Sequence, residues 1–300
     1  MHRRRSAELA LLVTVVIWSL NFTAVKVGIG SIPPLAFFVA RFSVGAAVTV
    51  LVALRLDGRP RFRRADLPLL VLAALVGITI NQAAFVLALH ETTASNTALL
   101  IGTIPVWTSI IAIATRQERL ALHHWIGVGV GLLGVAFIVF GGTTGRIDSP
   151  SFLGEILALV TAASWALYSV LIRPLMARYT ALSLSSFMMV VGTAAMVPFA
   201  LPELLSAHWA AIPGEAWLGL LYAALLSVAL TNVLYFTAIK RVGASRATLY
   251  VYLEPFLGVM FATLLLGDRA TLVQLAGGLV VVAAIVVARP RRKTIAEPGI

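Results

Sequence analysis

Residues Leu249 to Asp268, LYVYLEPFLGVMFATLLLGD, form one apolar segment, and the chain carries a second version of it 150 positions earlier. Ser245 answers Ser95, Leu249 answers Leu99, Pro255 answers Pro105, Ala262 answers Ala112 and Asp268 answers Glu118. As a helix rising about 1.5 Å per residue, each version is long enough to cross about 30 Å of hydrocarbon. A membrane-length segment that occurs twice restricts the fold to architectures built from two related halves. Only the second version is acidic at its centre, because Glu254 has Ile104 as its counterpart. A carboxylate at that depth costs ~2.5 kcal/mol or more, which marks it as a functional candidate.

The rest of the chain has the same character. With 60% hydrophobic and 12% charged residues and a mean hydropathy of +0.98, it is excluded from the ordinary soluble domains. Its apolar runs are helix-length, unlike the alternating segments of about ten residues found in outer-membrane barrels. Ten windows of about 20 residues qualify as spans: Glu8–Gly28, Pro33–Leu54, Leu67–Leu89, Ser95–Thr115, Trp125–Gly142, Phe152–Ile172, Leu182–Leu201, Trp217–Ile239, Ala247–Leu266 and Thr271–Ala288. The expected class is an all-α integral membrane protein of ten transmembrane helices.

Orientation is set by the basic residues. With the N-terminus inside, the cytoplasmic face receives Arg3–Arg5, the five arginines from Arg55 to Arg64, Arg116, Arg119, Arg173, Arg178, Lys240, Arg241, Arg246 and the cluster Arg289–Lys293. The outer loops receive only Arg146 and Arg269, while Lys26 and Arg41 fall inside spans. Both termini are therefore expected in the cytoplasm. The duplication covers the whole chain: Trp18 pairs with Trp165, Lys26 with Arg173 and Gly45 with Gly192 at an offset of 147, and Ala73-Ala74-Leu75 with Ala223-Ala224-Leu225 at 150. Five helices repeated once must cross the membrane in opposite senses. The expected units are residues 1–147 and 148–300, two five-helix inverted-topology repeats of the kind that secondary transporters rock about a midplane site.

Several other functions find little support. The net charge of +11 is spread over the loops between spans, where it sets topology, so nucleic acid is not expected as a partner. The absence of cysteine rules out thiolate catalysis, disulfides and iron–sulfur clusters. Arg3-Arg4-Arg5 before an apolar run imitates a secretory signal, yet the run continues through Trp18, Asn21 and Lys26 without a small-residue cleavage site. The histidines lie at span ends or in loops, the neighbours His123 and His124 point about 100° apart on a helix, and no Ser–His or paired-carboxylate pattern recurs within a span. No Gly-rich phosphate loop is present. No catalytic residue, metal site or cofactor is expected.

The motif set resembles the drug/metabolite transporter superfamily, and within it the EamA-type transporters. The resemblance rests on Trp18-x-x-Asn21-Phe22-x-x-x-Lys26, Pro34, Arg41-Phe42, Ala94-Ser95, Pro105, Glu118, Ala244-Ser245, Leu253-Glu254-Pro255, Gly267-Asp268 and Gly277. It implies a ten-helix carrier of small organic solutes, often an exporter of amino acids or related metabolites in a bacterial inner membrane. The chain departs where that family usually shows Gly-Glu in both halves, having Gln117-Glu118 and Gly267-Asp268.

Glu254, about seven residues into its span, and Arg41, about eight into the second, both approach the membrane interior at 1.5 Å per residue. Arg41 is a candidate for a solute carboxylate, and Glu254 for an amine or an exchangeable proton. A structural ion pair between them is the competing reading. Trp18 and Trp165, paired by the repeat, are candidate walls for an amphipathic solute. Asn21, Asn81, Gln82, Tyr168, Asn232, Tyr235 and Tyr252 complete the polar and aromatic set that hydrocarbon would penalise unless it faced partners or a wet path. Pro105 and Pro255 are expected to interrupt their helices and free backbone carbonyls. Lys26, about 27 Å along its helix, either snorkels to the outer interface or stands at the mouth of the pathway. Glu118 and Asp268 precede helices on opposite faces, where each either caps the next helix or acts in a gate.

These features predict a secondary transporter of a small amphipathic metabolite, with lipid, solute and candidate protons as its partners. A membrane-embedded enzyme or lipid-processing protein using Glu254 and Arg41 is the alternative, and a passive channel is third. The resemblance favours export, by alternating access.

Overall fold

A computed structural model describes residues 2–114, 122–142, 150–231, 234, 235, 238 and 253–288. Glu118, Asn232, Ser245 and Tyr252 lie outside the described residues, as do the basic residues of 116–119, 146, 240–246 and 289–293. The side chain of Pro105 lies outside them as well.

The described residues are helical throughout, joined by short turns, and contain no strand. The first two spans are α1 (His2–Ile29) and α2 (Pro34–Leu56). Pro34 opens α2 where its missing N–H costs no intrahelical bond. The third span is α3 (Leu67–Ala74), a π-helix (Leu75–Ile80) and α4 (Asn81–Glu91). The fourth is divided into α5 (Ala94–Ile101) and α6 (Ile104–Ala114) by Gly102 and Thr103. The remaining spans are α7 (Leu122–Gly142), α8 (Pro150–Met176), α9 (Ala181–Ser206), α10 (Gly214–Leu221) continued as a π-helix (Tyr222–Leu230), α11 (Glu254–Leu266) and α12 (Leu272–Ala288). The break falls in the turn before Pro105, in the helix that the sequence expects this proline to interrupt.

The inverted repeat is visible as reciprocal contact. Gly45 of α2 lies against the π-helix of the eighth span: a Cβ there would come within 2.6 Å of Val228 Cγ1. Its repeat counterpart Gly192 of α9 lies against the π-helix of the third span, within 2.8 Å of Ile78 Cγ2 and 2.9 Å of the Ala74 carbonyl. α2 and α9 also face each other directly, with Ser186 near the start of α9 donating to the Thr49 carbonyl of α2 at 3.3 Å. At one end, Glu203 of α9 accepts from the amides of Leu35 (2.7 Å) and Ala36 (3.0 Å) at the start of α2. At the other end, Asp57 after α2 accepts from Thr180 and, at 3.3 Å, from Ser183 at the start of α9. Each helix thus sets an acid at the positive dipole end of its counterpart, Glu203 on two α2 amides and Asp57 on the hydroxyls that open α9. Two copies of one helix that cap each other from opposite ends must run antiparallel.

The same symmetry orders the rest of the bundle. α8 packs on α4 and α6 as α1 packs on α10 and α11, and α7 pairs with α12. In that last pair Gly134 and Gly277 meet backbone to backbone, each with the other's carbonyl 2.8 Å from where a Cβ would stand. Small residues let membrane helices approach this closely. Large apolar side chains such as Phe137, Phe199, Leu205 and Leu264 remain exposed on the outside, while Phe37, Phe38, Leu184 and Met188 fill the interior. Five described helices are long and apolar enough to cross a membrane, and four shorter apolar helices accompany them. The chain is an all-α membrane protein of two inverted five-helix repeats.

Candidate functional site

The two π-helices hold equivalent places, since Leu75–Ile80 shifted by 150 falls on residues 225–230. A π-helix inserts an extra residue per turn and so rotates the stretch beyond it. That stretch opens on polar residues in both halves: Asn81-Gln82 in the first and Thr231 in the second.

In the first half, Asn81 is 1% exposed. Its amide donates to the Thr161 carbonyl (2.8 Å) and Ser164 Oγ (3.2 Å) of α8. Gln82 donates to Asn81 Oδ1 at 2.6 Å and accepts from Arg41 Nη2 at 2.5 Å. Arg41 is also 1% exposed, and its guanidinium lies 4.9 Å from the ring centre of Phe42, 5.7 Å from Phe85 and 5.9 Å from Phe37. Cation–π attraction offsets part of its desolvation. No carboxylate pairs with it among the described residues, and its Nε and Nη1 have no hydrogen-bond partner. This is a buried cation with donors to spare.

In the second half, Trp18 of α1 donates its indole N–H to Thr231 Oγ1 (2.9 Å) and to the Ser227 carbonyl (3.2 Å), and its ring stands 5.1 Å from that of Tyr235. One turn along α1, Asn21 is 8% exposed and its Oδ1 has no partner. Trp165 and Tyr168 of α8 stand 5.5 Å apart, with Tyr168 pressed onto Gly77 in the π-helix of the third span.

Glu254 opens α11, with Pro255 just behind it. Ser19 donates to the Glu254 carbonyl at 3.2 Å. The carboxylate itself accepts no hydrogen bond from a described group and lies close enough to Tyr235 for its charge to act there. Pro255 sits on the break in the fourth span: a Cβ on Gly102 would be 2.6 Å from Pro255 Cγ. The repeat-related fourth and ninth spans therefore cross at Gly102 and Pro255, beside Glu254. Glu254 and Arg41 form no ion pair among the described residues. Between them stands the edge-on pair Phe22–Phe85, 5.7 Å apart, with Phe85 on Arg41 and Phe22 against Gly258 of α11.

A second polar group lies where α1, α4 and α5 end or begin together. Lys26 Nζ donates to the Leu89 carbonyl and, at 2.8 Å, to the Thr92 carbonyl, so the cation sits on the last carbonyls of α4. Asp268 does not cap the next helix; Oδ2 accepts from the Ser95 amide of α5 at 3.1 Å. α12 has its own reciprocal cap, in which Gln274 N donates to Thr271 Oγ1 and Thr271 N to Gln274 Oε1. Lys26 is drawn electrostatically to both Asp268 and Glu91.

Glu155 is a buried acid that the sequence motifs do not single out. It lies in α8 with no exposed surface, accepts from Asn96 Nδ2 at 3.1 Å, and leaves Oε2 without a partner. Its one sequence signal is that it repeats Glu8 at the offset of 147. Among the described residues no group of three His, Asp or Glu side chains is placed to hold a metal ion.

Comparison with known proteins agrees with this architecture. The EamA-like transporter family model matches twice, over residues 5–140 and 152–289. A "Probable terminal-alkyne amino-acid exporter" of Streptantibioticus cattleyicolor is 28% identical over 294 residues, 97% of each chain. An "Uncharacterized transporter" of Archaeoglobus fulgidus is 26% identical over 278 residues, 93% of this chain and 95% of its own. A crystal structure with 20% identity superposes with a TM-score of 0.65 over 95% of this chain and 97% of its own, which shows the shared fold. Two family matches, one per repeat and together spanning nearly the whole sequence, establish that the chain belongs to the EamA-like transporter family.

Proposed function

We propose that the protein is a secondary carrier that moves a small amphipathic metabolite bearing a carboxylate across a bacterial inner membrane by alternating access, without altering it chemically. The observation that carries this reading is Arg41: a buried guanidinium with Nε and Nη1 unpartnered and no acid bound to it among the described residues. Desolvating a cation is repaid only by an anion or by several good hydrogen bonds. Gln82 supplies one of these, and a solute carboxylate would supply the rest through two parallel bonds. Trp18, Tyr235, Trp165 and Tyr168 suit the apolar part of such a solute, and Asn21 Oδ1 suits an amine.

An amino acid or close relative has this pairing of groups, and the name of the Streptantibioticus relative points the same way. We take export as the direction, 1–147 and 148–300 as the two repeats, and the cytoplasm as the location of both termini. Glu254 is the candidate proton carrier. The crossing at Gly102 and Pro255 is the candidate pivot, and Lys26 with Asp268 the candidate mouth.

Counterflow in proteoliposomes tests the reading. Liposomes preloaded with an unlabelled amino acid that binds the purified protein should take up the labelled compound faster than empty ones. Equal rates would indicate a channel, and recovery of altered solute would indicate an enzyme; either result overturns the proposal.

A further inference from the structure

Glu155 has no part in the solute site, yet its surroundings are built with care. α8 is pressed against the turn between α4 and α5 so tightly that a Cβ on Gly154 would lie 2.7 Å from Thr92 Cβ and 2.8 Å from the Thr92 amide nitrogen. That approach delivers Glu155 to Asn96, whose Nδ2 donates to Glu155 Oε1 (3.1 Å) and to Thr92 Oγ1 (3.3 Å). Asn96 Oδ1 in turn accepts from Gln274 Nε2, and Gln274 Oε1 accepts from the Thr271 amide at 2.8 Å. One carboxyl thereby ties α8 through α5 to α12. Asn96 Nδ2 is shared between Glu155 Oε1 and Thr92 Oγ1, and Glu155 Oε2 has no donor, in a residue with no exposed surface.

The described charged groups on neighbouring elements are engaged elsewhere. Lys26 of α1 holds the Leu89 and Thr92 carbonyls. His90 and Glu91 of α4 bond each other at 2.9 Å. Asp268 is on the Ser95 amide, Glu203 of α9 on the start of α2, and Asp66 before α3 on Arg178 and Tyr179. α6 and the described side chains of α7 and α12 contribute no charge. Among the described residues an ionised carboxylate here would be buried with one neutral donor and no cation, whereas a proton on Oε2 removes the charge and needs no further space.

We propose that Glu155, held by Asn96 and Gln274, is a second proton-binding site, separate from Glu254, and that the proton bound there latches the start of α5 between α8 and α12. Its place at the outer end of the bundle rests on the transport reading and its orientation. Opening that end would part Glu155 from Asn96, admit water and release the proton outside.

The test uses the full-length protein in lipid nanodiscs and needs no transport. Infrared pH-difference spectra of the wild type should contain a protonated-carboxyl band at neutral pH that Glu155→Gln removes and Glu254→Gln leaves in place. Asn96→Leu should shift that band to higher frequency, because the carbonyl loses its donor. Melting supplies a second readout. A proton bound to the folded protein and not to the unfolded chain stabilises less as pH rises, so Tm of the wild type should fall by several degrees towards alkaline pH and that of Glu155→Gln should fall by less, the remainder belonging to Glu254. A band unchanged in Glu155→Gln, or equal pH dependence of the two melting curves, overturns the proposal. If Glu155→Gln does not fold, Asn96→Leu decides on the native carboxyl, and an unshifted band overturns it. Absent counterflow with these spectra as expected would sink the transport reading and leave the proton site standing.

Discussion

Gly45 and Gly192 occupy the same place in opposite repeats, and each is the point where its helix meets the π-helix of the other half, Gly45 at Val228 and Gly192 at Ile78. The reciprocal end caps at Asp57 and Glu203 make α2 and α9 one antiparallel unit. The glycines seat that unit on the third and eighth spans, immediately before the polar residues that the π-helices redirect. Packing symmetry and site geometry therefore meet at the same two residues.

Substituting either glycine with leucine should crowd backbone as well as side chain, since the Ala224 carbonyl is 3.3 Å from a Cβ at 45 and the Ala74 carbonyl 2.9 Å from one at 192. Overpacking of this kind costs about 1–3 kcal/mol. The thermal midpoint in detergent should drop for Gly45→Leu and for Gly192→Leu, and more for the latter. Gly129→Leu, with nothing within 4 Å, should melt like the wild type. Equal melting of all three would refute the reciprocal seating.

Orientation can be read directly because the chain has no cysteine. Gly58, in a left-handed turn at φ 75° with open space around it, and exposed Ser206 at the end of α9 are separate places for one reporter each. A membrane-impermeant maleimide should label Ser206→Cys in intact cells and Gly58→Cys only after permeabilisation. Labelling of both from outside would reverse the inside assignment of the arginines from Arg55 to Arg64.

Hydropathy, basic loops and the 150-residue echo made the architecture readable, because burial in lipid and the count of five helices leave few alternatives. Details that depend on hydrogen-bond register were hidden: Leu75–Ile80 has the same hydropathy as an α- or a π-helix, yet only the latter turns Asn81 and Gln82 towards α8 and α2. Partners far apart in sequence were hidden too. Asp268 reads as a cap for the next helix until Thr271 and Gln274 are seen to fill that role, leaving it to Ser95 of α5. Glu155 reads as an acid near a span end, and only burial among three helices singles it out. Arg41 and Glu254 were visible because charge inside an apolar run needs no partner to be conspicuous.

Arg41→Gln should weaken a carboxylate-bearing solute most, since a charge-assisted hydrogen bond contributes about 1.5–3 kcal/mol, roughly 10- to 150-fold in affinity at 1.4 kcal/mol per decade. Gln82→Leu removes the partner of Nη2 and should cost less, because the cation remains. Binding of an amino acid and of its methyl ester to purified protein separates the two effects. The ester should bind wild type and Arg41→Gln alike, and an acid that loses no affinity in Arg41→Gln would refute the assignment.

Glu254 is tied to α1 through its backbone carbonyl, which accepts from Ser19, and its carboxylate is free of described donors. Glu254→Gln therefore leaves the helix contact intact and removes only the titratable group. If the carboxylate carries the coupled proton, solute movement driven by a pH gradient should disappear in this variant while exchange of labelled for unlabelled solute continues. Gly102→Ala provides the contrast, because its Cβ would press on Pro255 at 2.6 Å and disturb the crossing of the fourth and ninth spans. That variant should slow driven transport and exchange together. Both rates are measured in the same proteoliposomes with and without an imposed pH gradient. Driven transport at the wild-type rate in Glu254→Gln would place the coupling elsewhere, and a loss of both rates would make Glu254 part of the solute site or of the pivot.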